Sequence, residues 1–233
     1  MASGEGRDSR YEMRDTAVYC RIWSGRVNCR KTDETASTNR FNVLAVLCIF
    51  VGFAAGCGSS PPSRFYTLSA ASGAAGMSSN VSVAVGPVSV PAIVDRPQIV
   101  VSMGPNQVRL EEFNRWASPL QNNITRVIAE NLTALLGTTR VTLFPQSTSA
   151  DAAYRAIIDV QRFDSMPGDA VALEAIWIVR RMKDGKVVEG RIAMREAVQA
   201  NDYEALAAAH SRALARLSED IANAVRALDR SGQ

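Results

Sequence analysis

Cysteine and histidine carry much of protein chemistry, and this 233-residue chain uses them sparingly: Cys20, Cys29, Cys48, Cys57 and His210. Cys20 and Cys29 are separated by eight residues with no histidine near them, so zinc-finger spacing is missing. No cysteine lies beyond Cys57, which leaves the rest of the chain without a disulfide framework or a thiolate metal site. His210 falls on the apolar stripe of a predicted helix, where a partly buried, hydrogen-bonded imidazole is expected. Ser118 and Ser165 are the serines a hydrolase acting on lipid would use, and neither has a base within sequence reach. Asp151, Asp159, Asp164 and Asp169 lack the spacing of a calcium loop. The chain contains no G-x-S-x-G, H-E-x-x-H or P-loop. These patterns predict a protein that is not an enzyme and needs no metal or cofactor.

Cys57 stands apart from the other thiols. It follows Val43–Ala55, a run without charge, and Ala54-Ala55-Gly56, a set of small residues. The run is shorter than the ~20 residues that cross a bilayer as a helix. Its length suits the apolar region of an export signal, and the small residues suit a peptidase site that must admit extended backbone. Ala54-Ala55-Gly56-Cys57 resembles the lipobox of bacterial lipoproteins, in which the cysteine sulfur takes a diacylglycerol and the chain is cut before it. Gly58 in place of aspartate implies the periplasmic side of the outer membrane, by analogy with lipoprotein sorting. Forty residues precede Phe41, which is long for a signal peptide; a start at Met13 or Val27 would shorten that preface.

Charge excludes another class. Residues 1–56 hold 8 of the 26 basic and 6 of the 23 acidic residues, leaving 18 against 17 from Cys57 onward. So balanced a body does not predict nucleic-acid binding. The local cluster Arg180-Arg181-Met182-Lys183 reads as a solvated strand end, with lipid phosphate or an acidic partner as the alternative.

The chain divides into an N-terminal extension (1–40), a signal region with lipobox (41–56), a lipidated cysteine with a Gly/Ser/Pro tether (57–63) and one domain (64–233). Arg64–Leu68 reads as a short strand and Ser69–Asn80 as a loop. Val81, Val83 and Val85 alternate with small residues, and Pro87 and Pro91 predict an edge-like segment. Gly104-Pro105-Asn106 joins two β-rich runs into a hairpin. Ser118 is the expected N-cap of a helix with Pro119 in its first turn and Gly137 at its end. Three β runs at 153–164, 171–182 and 187–198 are separated by Pro167-Gly168-Asp169 and Asp184-Gly185 turns. A last helix begins at Asn201, with Glu204 completing a capping box. The predicted fold is α+β: a mostly antiparallel sheet with two long amphipathic helices packed on one face. Trp116, just before the first helix, is open to two readings: a core anchor or an exposed interface aromatic.

Several short pieces then carry a family resemblance. They are Phe65-Tyr66-Thr67-Leu68, Val85-Gly86-Pro87-Val88 with Pro91, Asp95-Arg96-Pro97-Gln98-Ile99-Val100, Arg115-Trp116-Ala117 with Pro119-Leu120, and Asn131-Leu132. In this order they resemble the PqiC-type family of ABC-transport auxiliary lipoproteins across nearly all of residues 57–233. The resemblance implies a membrane-anchored partner of an MCE-domain protein and an ABC permease and ATPase, moving phospholipids or other hydrophobic molecules between inner and outer membranes. It implies docking through Asp95, Arg96, Pro97, Gln98 and Trp116, and self-association through strand edges stays open. An outer-membrane assembly scaffold is the rival reading.

Overall fold

The computed structural model describes residues 60–71 and 79–231, together with the backbone of two N-terminal strands. The signal region and Cys57 lie outside the described residues. The two strands, β1 (Val18–Trp23) and β2 (Arg26–Lys31), form an antiparallel ribbon that sets Cys20 opposite Cys29. The ribbon belongs to the first of two compact units, Met1–Ser60, and the second is Pro61–Gln233.

In the second unit the strands are β3 (Arg64–Tyr66), β4 (Val83–Ser89), β5 (Gln98–Gly104), β6 (Gln107–Trp116), β7 (Val141–Leu143), β8 (Tyr154–Met166), β9 (Ala170–Arg181) and β10 (Val187–Ala197). The helices are α1 (Leu120–Leu136) and α2 (Tyr203–Arg230). All eight strands join one sheet, in the path β10-β9-β8-β5-β6-β3, with β4 beside β8 and β7 beside β4. The ladders β8-β9-β10 and β5-β6 are antiparallel; β4, β7 and β3 pair in parallel. The fold is therefore α+β with a largely antiparallel sheet, as predicted.

Long β8 explains the branching. Its first half pairs with β4 and its last turn of pleat reaches β5 at Ser165. β4 is thus an interior strand over Val83–Val85, not the edge expected from Pro87. A register shift between Val85 and Val88 takes Gly86 and Pro87 out of the ladder, so the missing proline N–H costs no strand bond.

The covered sheet face follows period-two alternation. Along β8, Tyr154, Ala156, Ile158 and Val160 are buried; along β9, Val171, Leu173, Ala175, Trp177 and Val179. α1 packs on β4 and β7, and α2 on β8, β9 and β10. Both helices pair with each other and bury one stripe, Ile124, Val127, Ile128 and Leu132 on α1 and Leu206, Leu214, Leu217 and Ile221 on α2. The opposite sheet face carries exposed ion pairs, Arg162 with Asp164 and Arg191 with Glu174. Among the described residues no helix is long and apolar enough to cross a membrane.

The helix starts differ from expectation by one residue each, and the end of α1 falls at Gly137 as expected. Pro119, not Ser118, occupies the N-cap of α1, and its carbonyl accepts from the Asn123 N–H at 3.0 Å. Gly137 closes α1 in the left-handed conformation at φ 61°. Asp202, not Asn201, caps α2, its carboxylate accepting from the Ala205 N–H at 2.7 Å.

The basic cluster at the β9–β10 turn is split by the fold. Arg181 turns inward and is 3% exposed. Its guanidinium donates to the Leu228 carbonyl at 2.5 Å, near the end of α2, and to both oxygens of Asp184. A cation is favoured there because the last helical carbonyls lack backbone donors. The Arg181 hydrogen bonds hold the Asp184 carboxyl down at about 2. The Asp184→Asn variant is expected to unfold at lower temperature, because the enclosed guanidinium loses its countercharge. Calorimetry at pH 7 checks this, and Arg181→Met with Asp184→Asn should recover part of the loss.

Candidate docking surface and tether seat

The stretch following Ser63 is built into the body by side chains. Tyr66 lies 5.9 Å from the Tyr203 ring at the start of α2 and donates from its hydroxyl to Asn114 at 3.2 Å. Leu68 is 1% exposed, so the Phe-Tyr-Thr-Leu motif drives one large residue into the core. Its carbonyl accepts from Arg126 at 2.6 Å. Just beyond it, the Ser69 N–H donates to Ser211 Oγ at 3.1 Å and the Ala71 N–H to Asn131 Oδ1 at 2.9 Å. Asn131 in turn donates to Ser218 Oγ at 3.3 Å across the two helices. Polar residues inside the helix stripes thus satisfy backbone that no strand partner would. The Asn131-Leu132 motif is explained the same way: one residue pins the entry segment and the next fills the core.

The segment expected to dock a partner is held just as firmly. Pro91 accepts from the Val94 and Asp95 N–H groups at 3.0 and 3.2 Å, which closes a turn over the buried Val94. The Pro97 carbonyl accepts from the Trp116 N–H at 2.8 Å, and Gln98 pairs with Arg115 in the β5–β6 ladder. Asp95 and Pro97 are exposed, while Arg96 and Gln98 are half-buried. Arg96 Nε is enclosed with no hydrogen-bond acceptor.

Of the two positions open to Trp116, its indole takes the core one. It is 5% exposed, edge-on to Phe163 at 6.5 Å and to His210 at 6.2 Å. It therefore reaches the 95–98 segment through its backbone N–H rather than through a free ring.

His210 is buried and hydrogen-bonded, as expected from its place on the apolar stripe, and more completely enclosed than expected. The imidazole is fully buried, stacks on Phe163 at 3.9 Å and hydrogen-bonds through Nε2 with Ser165 Oγ at 2.9 Å. Its Nδ1 is enclosed without a partner, and burial drops its pKa to about 3. The fold thus gives Ser165 a base that sequence distance had denied it. Acyl transfer does not follow. Ser165 is 2% exposed, no carboxylate orients Nδ1, and a substrate carbonyl has no approach to the hydroxyl. No sequence signal pairs these residues, because 45 positions and the β8–α2 packing lie between them.

These elements define the class: an α+β module with two helices over a mixed sheet. The chain belongs to the family of ABC-type transport auxiliary lipoprotein components, which residues 66–222 match. The family is one of transport auxiliary components rather than of enzymes, and a lipoprotein family implies a membrane-anchored, periplasmic location. Two crystal structures share the fold. Protein XCC0632 from Xanthomonas campestris is 18% identical, with a TM-score of 0.57 over 73% of this chain and 100% of that one. An uncharacterized protein is 19% identical, with a TM-score of 0.59 over 71% of this chain and 99% of that one. Among curated proteins nothing matches.

Proposed function

We propose that this protein is the lipid-anchored periplasmic docking component of an MCE-domain and ABC-type system that moves phospholipids or related hydrophobic molecules between inner and outer membranes. The family match over residues 66–222 carries the reading. The lipobox-like Ala54-Ala55-Gly56-Cys57 supports the anchor, and Gly58 after it favours the outer membrane. A docking role also fits the physics of the task. Lipid crossing water needs a covered apolar path, since each exposed CH₂ is unfavourable by about 0.8 kcal/mol. A tethered module raises the local concentration of the receiving end.

Asp95, Arg96, Pro97 and Gln98 are the proposed partner surface, with Trp116 holding their backbone in place. An acidic group on the MCE-domain partner would pair with the half-buried Arg96 side chain. Pull-down from native membranes tests the assignment. Wild-type protein is expected to bring down the MCE-domain protein, the ABC components and bound lipid. Arg96→Ala is expected to lower that yield roughly tenfold, the loss of one charge-assisted contact. Wild-type yield from a folded Arg96→Ala protein rejects the surface. Cys57→Ser is expected to release the protein from envelope membranes, and retention at unchanged mature mass rejects the anchor.

A further inference from the structure

Exposed apolar side chains are unevenly spread over the second unit. Of nine large hydrophobic residues left exposed among those described, six lie on β3, on the β5–β6 hairpin or at Ile93 before it, so one end of the sheet is the sticky one. Phe65 is the extreme, 64% exposed. Alternation along β3 fixes its direction: Tyr66 faces α2, so Phe65 points away from the helices. Its register partner is Arg115 on β6. Phe113, two residues back from Arg115, is 40% exposed. Arg115 is half-buried; its Nε donates to the Glu112 carbonyl at 2.8 Å, and its ion pair to the Glu112 carboxylate is long, at 3.7 Å.

Chain position says what this end meets. Phe65 comes eight residues after Cys57. A fully extended chain of that length reaches at most about 28 Å. Once Cys57 is acylated, no rotation of the body carries Phe65 beyond that distance from the bilayer. The sheet edge at β10 has no such constraint, because it lies at the far end of the strand path.

We propose that Phe65 and Phe113, beside Arg115, form a bilayer-contact patch that seats in the headgroup–acyl boundary of the membrane carrying the anchor. The inference rests on acylation of Cys57. The phenyl rings leave water at the boundary, and the Arg115 guanidinium meets lipid phosphate, a pairing its planar fork favours. Lipid fits this patch better than a protein surface does, because the tether keeps lipid within that reach in every orientation of the molecule. The patch would convert a loose leash into a fixed pose, with the β3–β6 side towards the lipid.

Brominated lipids test the pose. The full chain is exported, purified lipidated, and reconstituted into phosphatidylethanolamine–phosphatidylglycerol vesicles with brominated acyl chains. Phe65→Trp and Phe113→Trp place the probes in the patch; Val187→Trp, 51% exposed on β10, is the control. Bromine quenches indoles that enter the acyl boundary, so either patch probe is expected to lose at least about twofold more emission than the control. Flotation of the protein with vesicles but equal quenching at all three positions overturns the patch and leaves the anchor standing. Concentration-dependent crosslinking at Phe65 with equal quenching also overturns it, and names a second copy as the occupant. Failure to float overturns both the anchor and the patch.

Discussion

Replacing Gly190 with valine is expected to destabilise the protein by about 3 kcal/mol, the upper range for overpacking a close-fitted core. Gly190 on β10 sits opposite Trp177 on β9, and the indole lies across its backbone. A Cβ at Gly190 would stand 2.3 Å from Trp177 Cζ2 and 2.7 Å from Cε2, distances no real side chain tolerates. The ring has little room to move, since Trp177 is 8% exposed and belongs to the core. Strand propensity alone predicts the opposite sign, because valine suits a strand and glycine weakens one. The measurement therefore separates packing from propensity. Urea unfolding gives the stability, and Trp177→Leu in the Gly190→Val background should recover part of it by opening space. A Gly190→Val protein as stable as wild type would mean that the indole does not cover this backbone.

Acid is the second large effect. The buried His210 titrates at about 3, against about 6.5 for a histidine in an unfolded chain. The unfolded state therefore binds a proton that the folded state refuses. The sign is that of a depressed group: the stability is fully present above pH 6.5 and is lost as pH falls from there towards 3. One proton contributes a slope of about 1.4 kcal/mol per pH unit, so going from pH 7 to pH 5 costs about 2 kcal/mol from this residue. His210→Gln keeps a polar group facing Ser165 but cannot titrate, so its stability should change less over the same interval. The comparison isolates His210, because every other titrating group is common to both proteins. Equal pH dependence in the two proteins would show that the imidazole is not held neutral by its surroundings.

Both effects mark where local pattern stops and packing begins. The β9–β10 hairpin is legible in sequence: Asp184-Gly185 supplies the positive-φ turn, and Val188, Ile192 and Met194 alternate with Glu189, Arg191 and Arg195. Nothing in that alternation says that Gly190 lies under an indole. The stripe Leu206, His210, Leu214, Leu217 and Ile221 likewise announces α2 and the burial of His210. It does not announce Ser165 as a neighbour. Arg181 was read with Arg180 and Lys183 as a solvated strand end, yet the end of α2 lies over it and draws it in. β4 looked like an edge because proline removes a donor; a bulge at Gly86-Pro87 keeps the strand in the sheet interior.

The amino-acid sequence on its own determined the element types, the turns, the apolar faces and the family. Those follow from interactions between residues a few positions apart, and the order of short motifs along the chain preserves them. Only the tertiary structure decided that Trp116 is a core ring, that His210 meets Ser165 in a closed space, and that Phe65 faces outward. Each of these depends on which strand and helix come to lie together, a choice set by the sum of many weak long-range contacts and written in no single stretch of residues.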